Sequence, residues 1–256
     1  MWVRSPKYYD GKGAGFLKSF TAGFITTCGL RSVGSPCIDD GEELPLHGTI
    51  SNIPCENISH WIENDKIHIK AIIRDTEIFA QKLILEREYE ISLDKNEICM
   101  IDKIKNIGSE ASPLEMLYHC NIGHPLLDED AEISIPSKSV TPRNAHAKSH
   151  ILNCLNAEEP QNGYEEMCFY HHFEGNTQVG IFNPNIKKGL KINYDASQLE
   201  CFTQWKMMGE YEYVMGLEPG NCYPDGRDVM REQRKLEFLA PGEEKVYNLK
   251  FMFTEE

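Results

Sequence analysis

Between residues 66 and 107 apolar and polar positions alternate. Ile67, Ile69, Ala71 and Ile73 are interleaved with His68, Lys70 and Ile72, and Leu83, Leu85, Tyr89, Ile91 and Leu93 repeat at period two. Extended backbone sends successive side chains to opposite faces, so these runs predict half-buried β-strands. Turn-forming stretches separate such runs: Asp94-Lys95-Asn96, Asn106-Ile107-Gly108-Ser109, Glu174-Gly175-Asn176 and Ala240-Pro241-Gly242-Glu243. No segment has the periodicity of an amphipathic helix of about four turns. The prediction is an all-β fold, a sandwich of mainly antiparallel sheets. Asp128 to Pro160 is less periodic and reads as a long excursion from the sheets. Lys235 to Phe253 reads as two strands around Pro241-Gly242, a closing hairpin of the core. With no repeat, charge block or Gly/Ser linker, residues 1–256 are read as a single domain.

Charge narrows the function. Forty acidic against 26 basic residues give a net charge of −14, which repels phosphate backbones and anionic membrane surfaces, so neither nucleic acid nor membrane is an expected partner. No run of about 18 apolar residues and no signal-like apolar core occurs, which predicts a soluble, cytoplasmic protein. The nine cysteines are scattered without a Cys-x-x-Cys pair, so they predict reduced thiols rather than a zinc site or a disulfide framework.

Three segments carry more chemistry than packing needs. In Leu44-Pro45-Leu46-His47-Gly48, the glycine lets the backbone approach something closely. The apolar strand from Pro113 is interrupted by His119, Asn121 and His124. Tyr213 to Cys222 sets Glu218 before a Pro-Gly pair. Each feature alone is more simply a structural histidine or a solvated turn. Together, two imidazoles and a carboxylate can move protons in two directions at neutral pH, and they equally form a common metal face.

"LPLHG", a Pro-led strand ending in "YHCN", a late "GLEPGN" and then "LAPGE" together resemble the aldose 1-epimerase (galactose mutarotase-like) superfamily, specifically a poorly characterised bacterial branch. The likeness runs from about Trp2 to the C-terminus. It implies a β-supersandwich, and a reaction that interconverts the α and β anomers of a free aldose with no metal and no organic cofactor. By that resemblance Glu218 is the general base at O1, His119 the general acid at the ring oxygen O5, and His47 a second histidine near the reacting oxygens. His-Pro wording would instead give the acid's place to His124; with His119 chosen, His124 becomes a sugar contact or a structural residue.

The resemblance also implies sugar contacts from Asn121, Trp205, Lys206, Asn221 and Arg227. Relatives carry an arginine soon after the His-Gly pair where this chain has Thr49 and Ser51, which leaves Arg31 to supply that contact. Relatives also reach the opening segment only after several dozen residues, so the resemblance implies a sandwich short of some N-terminal strands. The expected partner is a small-molecule sugar, with a homodimer as an option. The competing reading is a non-catalytic carbohydrate-binding protein of the same fold.

If Met116, Tyr118, Cys120 and Ile122 face the core, His119 and Asn121 share the other face and line a pocket opposite Glu218.

Overall fold

The computed structural model describes residues 10–20 and 23–255. Among these residues, seventeen strands run β1 (Ile25–Leu30), β2 (Cys37–Asp39), β3 (Glu42–Leu44), β4 (Glu56–Glu63), β5 (Lys66–Thr76), β6 (Lys82–Ser92), β7 (Glu97–Asn106), β8 (Ser112–Gly123) and β9 (Glu132–Ser134). They continue with β10 (Ser139–Pro142), β11 (Met167–His172), β12 (Asn176–Asn183), β13 (Lys188–Asp195), β14 (Cys201–Met208), β15 (Tyr213–Gly220), β16 (Glu237–Leu239) and β17 (Glu244–Glu255). The two α-helices among the described residues, α1 (Ala145–Ser149) and α2 (Arg227–Glu232), are too short to organise a core.

One sheet has the order β1-β8-β15-β14-β11-β10, with β16 also on β8; the other runs β4-β5-β6-β7-β17-β13-β12-β9. Every pairing between these strands is antiparallel. The alternating runs of residues 66–107 are β5, β6 and β7. Leu83, Leu85, Met100 and Ile104 from that sheet meet Met116, Tyr118, Cys120 and Ile122 of β8 in the inter-sheet core. Burying these side chains supplies the main force joining the sheets. One polar tie crosses the same space: Tyr118 donates to Asp102, which accepts both Arg87 Nε at 2.7 Å and Nη2 at 2.6 Å.

The excursion after Asp128 supplies β9 to the second sheet and β10 to the first, with α1 between it and β11. The expected closing hairpin does not form. β16 pairs with β8 and β17 with β7 and β13, so the Pro241-Gly242 turn carries the chain from one sheet to the other. Alternation specifies which face a residue takes but not which strand lies beside it, and two runs joined by a tight turn therefore parted.

No helix among the described residues is long and apolar enough to cross a membrane. All nine cysteines are free.

Candidate active site

The side of β8 turned away from the core carries His119. The pairing that joins Cys120 to Leu217 and Asn121 to Gly216 brings residue 119 level with residue 218 on β15. Thr203 on β14 is the direct partner of Glu218, and Thr26 on β1 that of His119. A row of polar side chains thus crosses four neighbouring strands on one face. His119 and Glu218 therefore stand side by side in one sheet instead of facing each other across a pocket, because consecutive strands put level residues on the same side.

His119 Nε2 lies 3.2 Å from Glu218 Oε1, within ion-pair reach though not aligned as a hydrogen bond. Both side chains are almost wholly buried. They form the floor of a cavity of about 300 Å³, whose walls include His47, Arg143, Glu166, Trp205 and the aromatic pair Phe16 and Phe20. Glu218 Oε1, His119 Nδ1, His47 Nδ1 and Thr203 Oγ1 are buried there without a hydrogen-bond partner among the described residues. Buried polar atoms are normally satisfied, and four open ones around one cavity mark a surface built to receive a polar molecule.

His47 arrives from the loop after β3. Its backbone is clamped to β1 and the loop after it, with Gly29 N donating to His47 O, Thr49 N to Gly29 O and His47 N to Gly34 O. The close approach expected at Gly48 is to this strand: at φ +71°, a Cβ there would meet Gly29 O at 2.3 Å and Ser32 O at 2.5 Å. The His47 ring sits edge-on to His119, centroids 5.7 Å apart, and Phe16 covers it at 5.1 Å. Trp205 is edge-on to His119 at 5.5 Å, and its indole N–H is held by Glu166 at 2.8 Å.

Burial sets the protonation of these groups. It drives His119 down to about 3, helped by the neighbouring His47, and His47 down to about 4, helped by the Arg143 charge. Glu218 moves the other way, well above the ordinary carboxylate range, through burial and the Glu166 charge, against the pull of Arg143. Burial thus favours the protonated carboxyl on Glu218 and the neutral imidazole on His119.

Several sugar contacts expected from the resemblance lie elsewhere. Lys206 is one residue from Trp205, so it points to the opposite side of β14, where its buried ammonium donates to Asn156 O and Glu158. Asn221 staples two strands, accepting from Met116 N at 2.7 Å and donating to Leu114 O at 3.0 Å. Asn121 shares the His119 side but spends its amide on Gly23 O and His119 O. Arg227 is buried against Asp39, Glu42 and the Arg31 carbonyl, while Arg31 itself is bound to Glu42 and Glu77. His124 is exposed beyond the end of β8.

The guanidinium that does line the cavity is Arg143, just after β10, fixed by Asp225, Ser35 Oγ and Pro224 O. Arg143, Glu166 and Thr203 were not singled out from sequence. Thr203 was readable, since period two puts it on the same side as Trp205. Arg143 and Glu166 lie in irregular stretches whose direction no periodicity reports. His47 also stands too far off to complete a three-ligand set with the pair. Among the described residues, the one such cluster with all ligand atoms within 4.8 Å is His68, Glu88 and Glu90, on β5 and β6 of the other sheet.

The profile of a family described as "Domain of unknown function (DUF4432)" matches residues 2–253. No protein of curated function matches the chain. Among solved structures, one described as "a putative aldose 1-epimerase" from Klebsiella pneumoniae is 25% identical, with a TM-score of 0.93 over 99% of this chain and 69% of its own. A galactose mutarotase-like protein from Clostridium acetobutylicum is 14% identical (TM-score 0.66, 91% of this chain and 78% of its own). Galactose 1-epimerase from Lactobacillus acidophilus is 13% identical (TM-score 0.61, 100% of this chain and 84% of its own). The fold is the galactose mutarotase-like sandwich, as the sequence resemblance implied.

Proposed function

Because the chain belongs to the DUF4432 family and has the galactose mutarotase-like fold, we propose that it is an aldose 1-epimerase-like isomerase acting on the anomeric centre of a free sugar. The observation that carries this reading is the buried His119–Glu218 pair, 3.2 Å apart on the floor of a cavity whose wall offers the Trp205 indole. O1 and O5 of a cyclic hemiacetal are bonded to one carbon, so adjacent groups can serve both.

Ring opening needs a base at the O1 hydroxyl and an acid at O5. In the roles that the resemblance implies, Glu218 as carboxylate takes the O1 proton while His119 as imidazolium donates to O5; the C1–O5 bond breaks and an aldehyde forms. The pair reaches that form by passing its single proton from Glu218 to His119, with no change in the total. A sugar whose O1 hydroxyl donates to the carboxylate, and whose O5 accepts from the imidazolium, stabilises the charged arrangement. After rotation about C1–C2, proton movements in reverse close the ring on the other face. His47 hydrogen-bonds near the reacting oxygens, Arg143 donates to hydroxyls, and Trp205 packs on the apolar side of the ring.

Saturation-transfer NMR or polarimetry on a panel of neutral hexoses and pentoses tests the proposal. Accelerated anomer exchange that Glu218→Gln abolishes, with the fold retained, is the expected result. Sugar binding by calorimetry with no acceleration by the wild type would replace it with a carbohydrate-binding role.

A further inference from the structure

We propose that Gly216 is a positioning residue, and that the side chain missing there is the space in which the Glu218 carboxylate stands beside His119. The catalytic meaning rests on the acid–base reading of the cavity; the steric claim stands on geometry alone.

Residues 216 and 218 are two apart on β15 and share its cavity side. A Cβ added to Gly216 would come 2.1 Å from Glu218 Oε1, 3.0 Å from its Cδ and 3.2 Å from Trp205 Cβ. The first distance lies far inside van der Waals contact, so the carboxylate would have to shift from this position. The backbone does not itself call for glycine, because Gly216 is not among the positive-φ glycines of the chain. Mid-strand glycine costs stability, and its usual reason is close approach of another group. Here that group is the carboxylate, folded back along its own strand over residue 216. Its neighbours across the ladder are Trp205 on one side and Asn121 on the other. The same fold-back holds Oε1 3.2 Å from His119 Nε2. Gly216 thus leaves open the space that the carboxylate occupies in this contact.

The test is a double-mutant cycle on thermal unfolding, which needs no activity. Gly216→Ala is expected to lower Tm by roughly 3 °C or more when Glu218 is present, and to cost little in a Glu218→Ala background, where the clashing atoms are gone. If Gly216→Ala alone does not fold, recovery of folding in the double variant supports the same conclusion. An equal loss in both backgrounds, or no folding in either, would overturn the proposal by assigning the clash to the backbone or Trp205. In a wild type active on sugars, Gly216→Ala is further expected to lower kcat by about 10- to 1,000-fold with KM little changed, and to shift the pH profile as the carboxylate leaves His119. An unchanged kcat and pH profile there would overturn the positioning role. Absence of wild-type activity would count against the proposed function and leave the Tm cycle to decide the steric claim.

Discussion

His119 and His124 lie five positions apart and have opposite surroundings. The first is buried against Glu218, Trp205 and His47; the second is exposed beyond the strand. His119→Asn is expected to lower kcat for anomer exchange by roughly 100- to 10,000-fold, the usual range for a lost general acid, while His124→Asn stays near wild type. Steady-state kinetics on the purified variants checks this, and a loss confined to His124→Asn would mean that the acid was wrongly assigned. The acid limb of the wild-type pH–rate profile should lie low for an imidazole. His119 is held down to about 3, so it takes up no extra proton as pH falls through the ordinary histidine range, and the rate should drop only towards pH 3 to 4.

At the scale of elements, the site depends on the register of β8 with β15, and Asn221 guards that register from the strand's end. Its amide satisfies Met116 N and Leu114 O in the buried interior. Asn221→Ala leaves both backbone groups unpaired and is expected to cost about 1–3 kcal/mol, read from urea unfolding. Retained stability would show that water replaces the staple. The loop bearing His47 depends in the same way on contact between Gly48 and β1. Gly48→Ala adds a Cβ 2.3 Å from Gly29 O at a left-handed φ, so it should destabilise the protein and weaken sugar affinity together as His47 shifts. Unfolding curves and calorimetry on one preparation would reveal either effect without the other.

Across the whole molecule, buried titratable groups oppose one another. Burial holds His47 and His171 down to about 4 and His119 to about 3. Between those values and 6.5 the unfolded chain binds protons that the fold refuses, so stability rises with pH and the gain is complete above about 6.5. Glu218 and Glu115 are pushed up by burial, Glu115 to about 8. There the fold keeps protons that the unfolded chain has released, so stability falls as pH rises from about 4.5 towards 8. These groups together predict a Tm maximum near pH 6 to 6.5. Glu115→Gln should flatten the alkaline side in differential scanning calorimetry, and an unchanged alkaline slope would remove Glu115 from the account.

Much of the architecture was legible because alternation is a local consequence of extended backbone. It identified the core side of β8 through Met116, Tyr118, Cys120 and Ile122, and so the side from which His119 projects. Applied to β14, it would also have separated Thr203 and Trp205 from Lys206. The sequence by itself thus determined the all-β class, the strands between residues 66 and 107 and the face of β8 from which His119 and Asn121 project. Tertiary structure decided which strands became neighbours: it parted β16 from β17 and set Glu218 beside His119. It also decided how irregular segments ran, so that Arg143 instead of Arg31 lines the cavity while Arg227 and Asn221 hold the fold. The physical reason is that side-chain direction follows from backbone geometry within a few residues, whereas strand partners and loop paths come from packing between residues far apart in the chain.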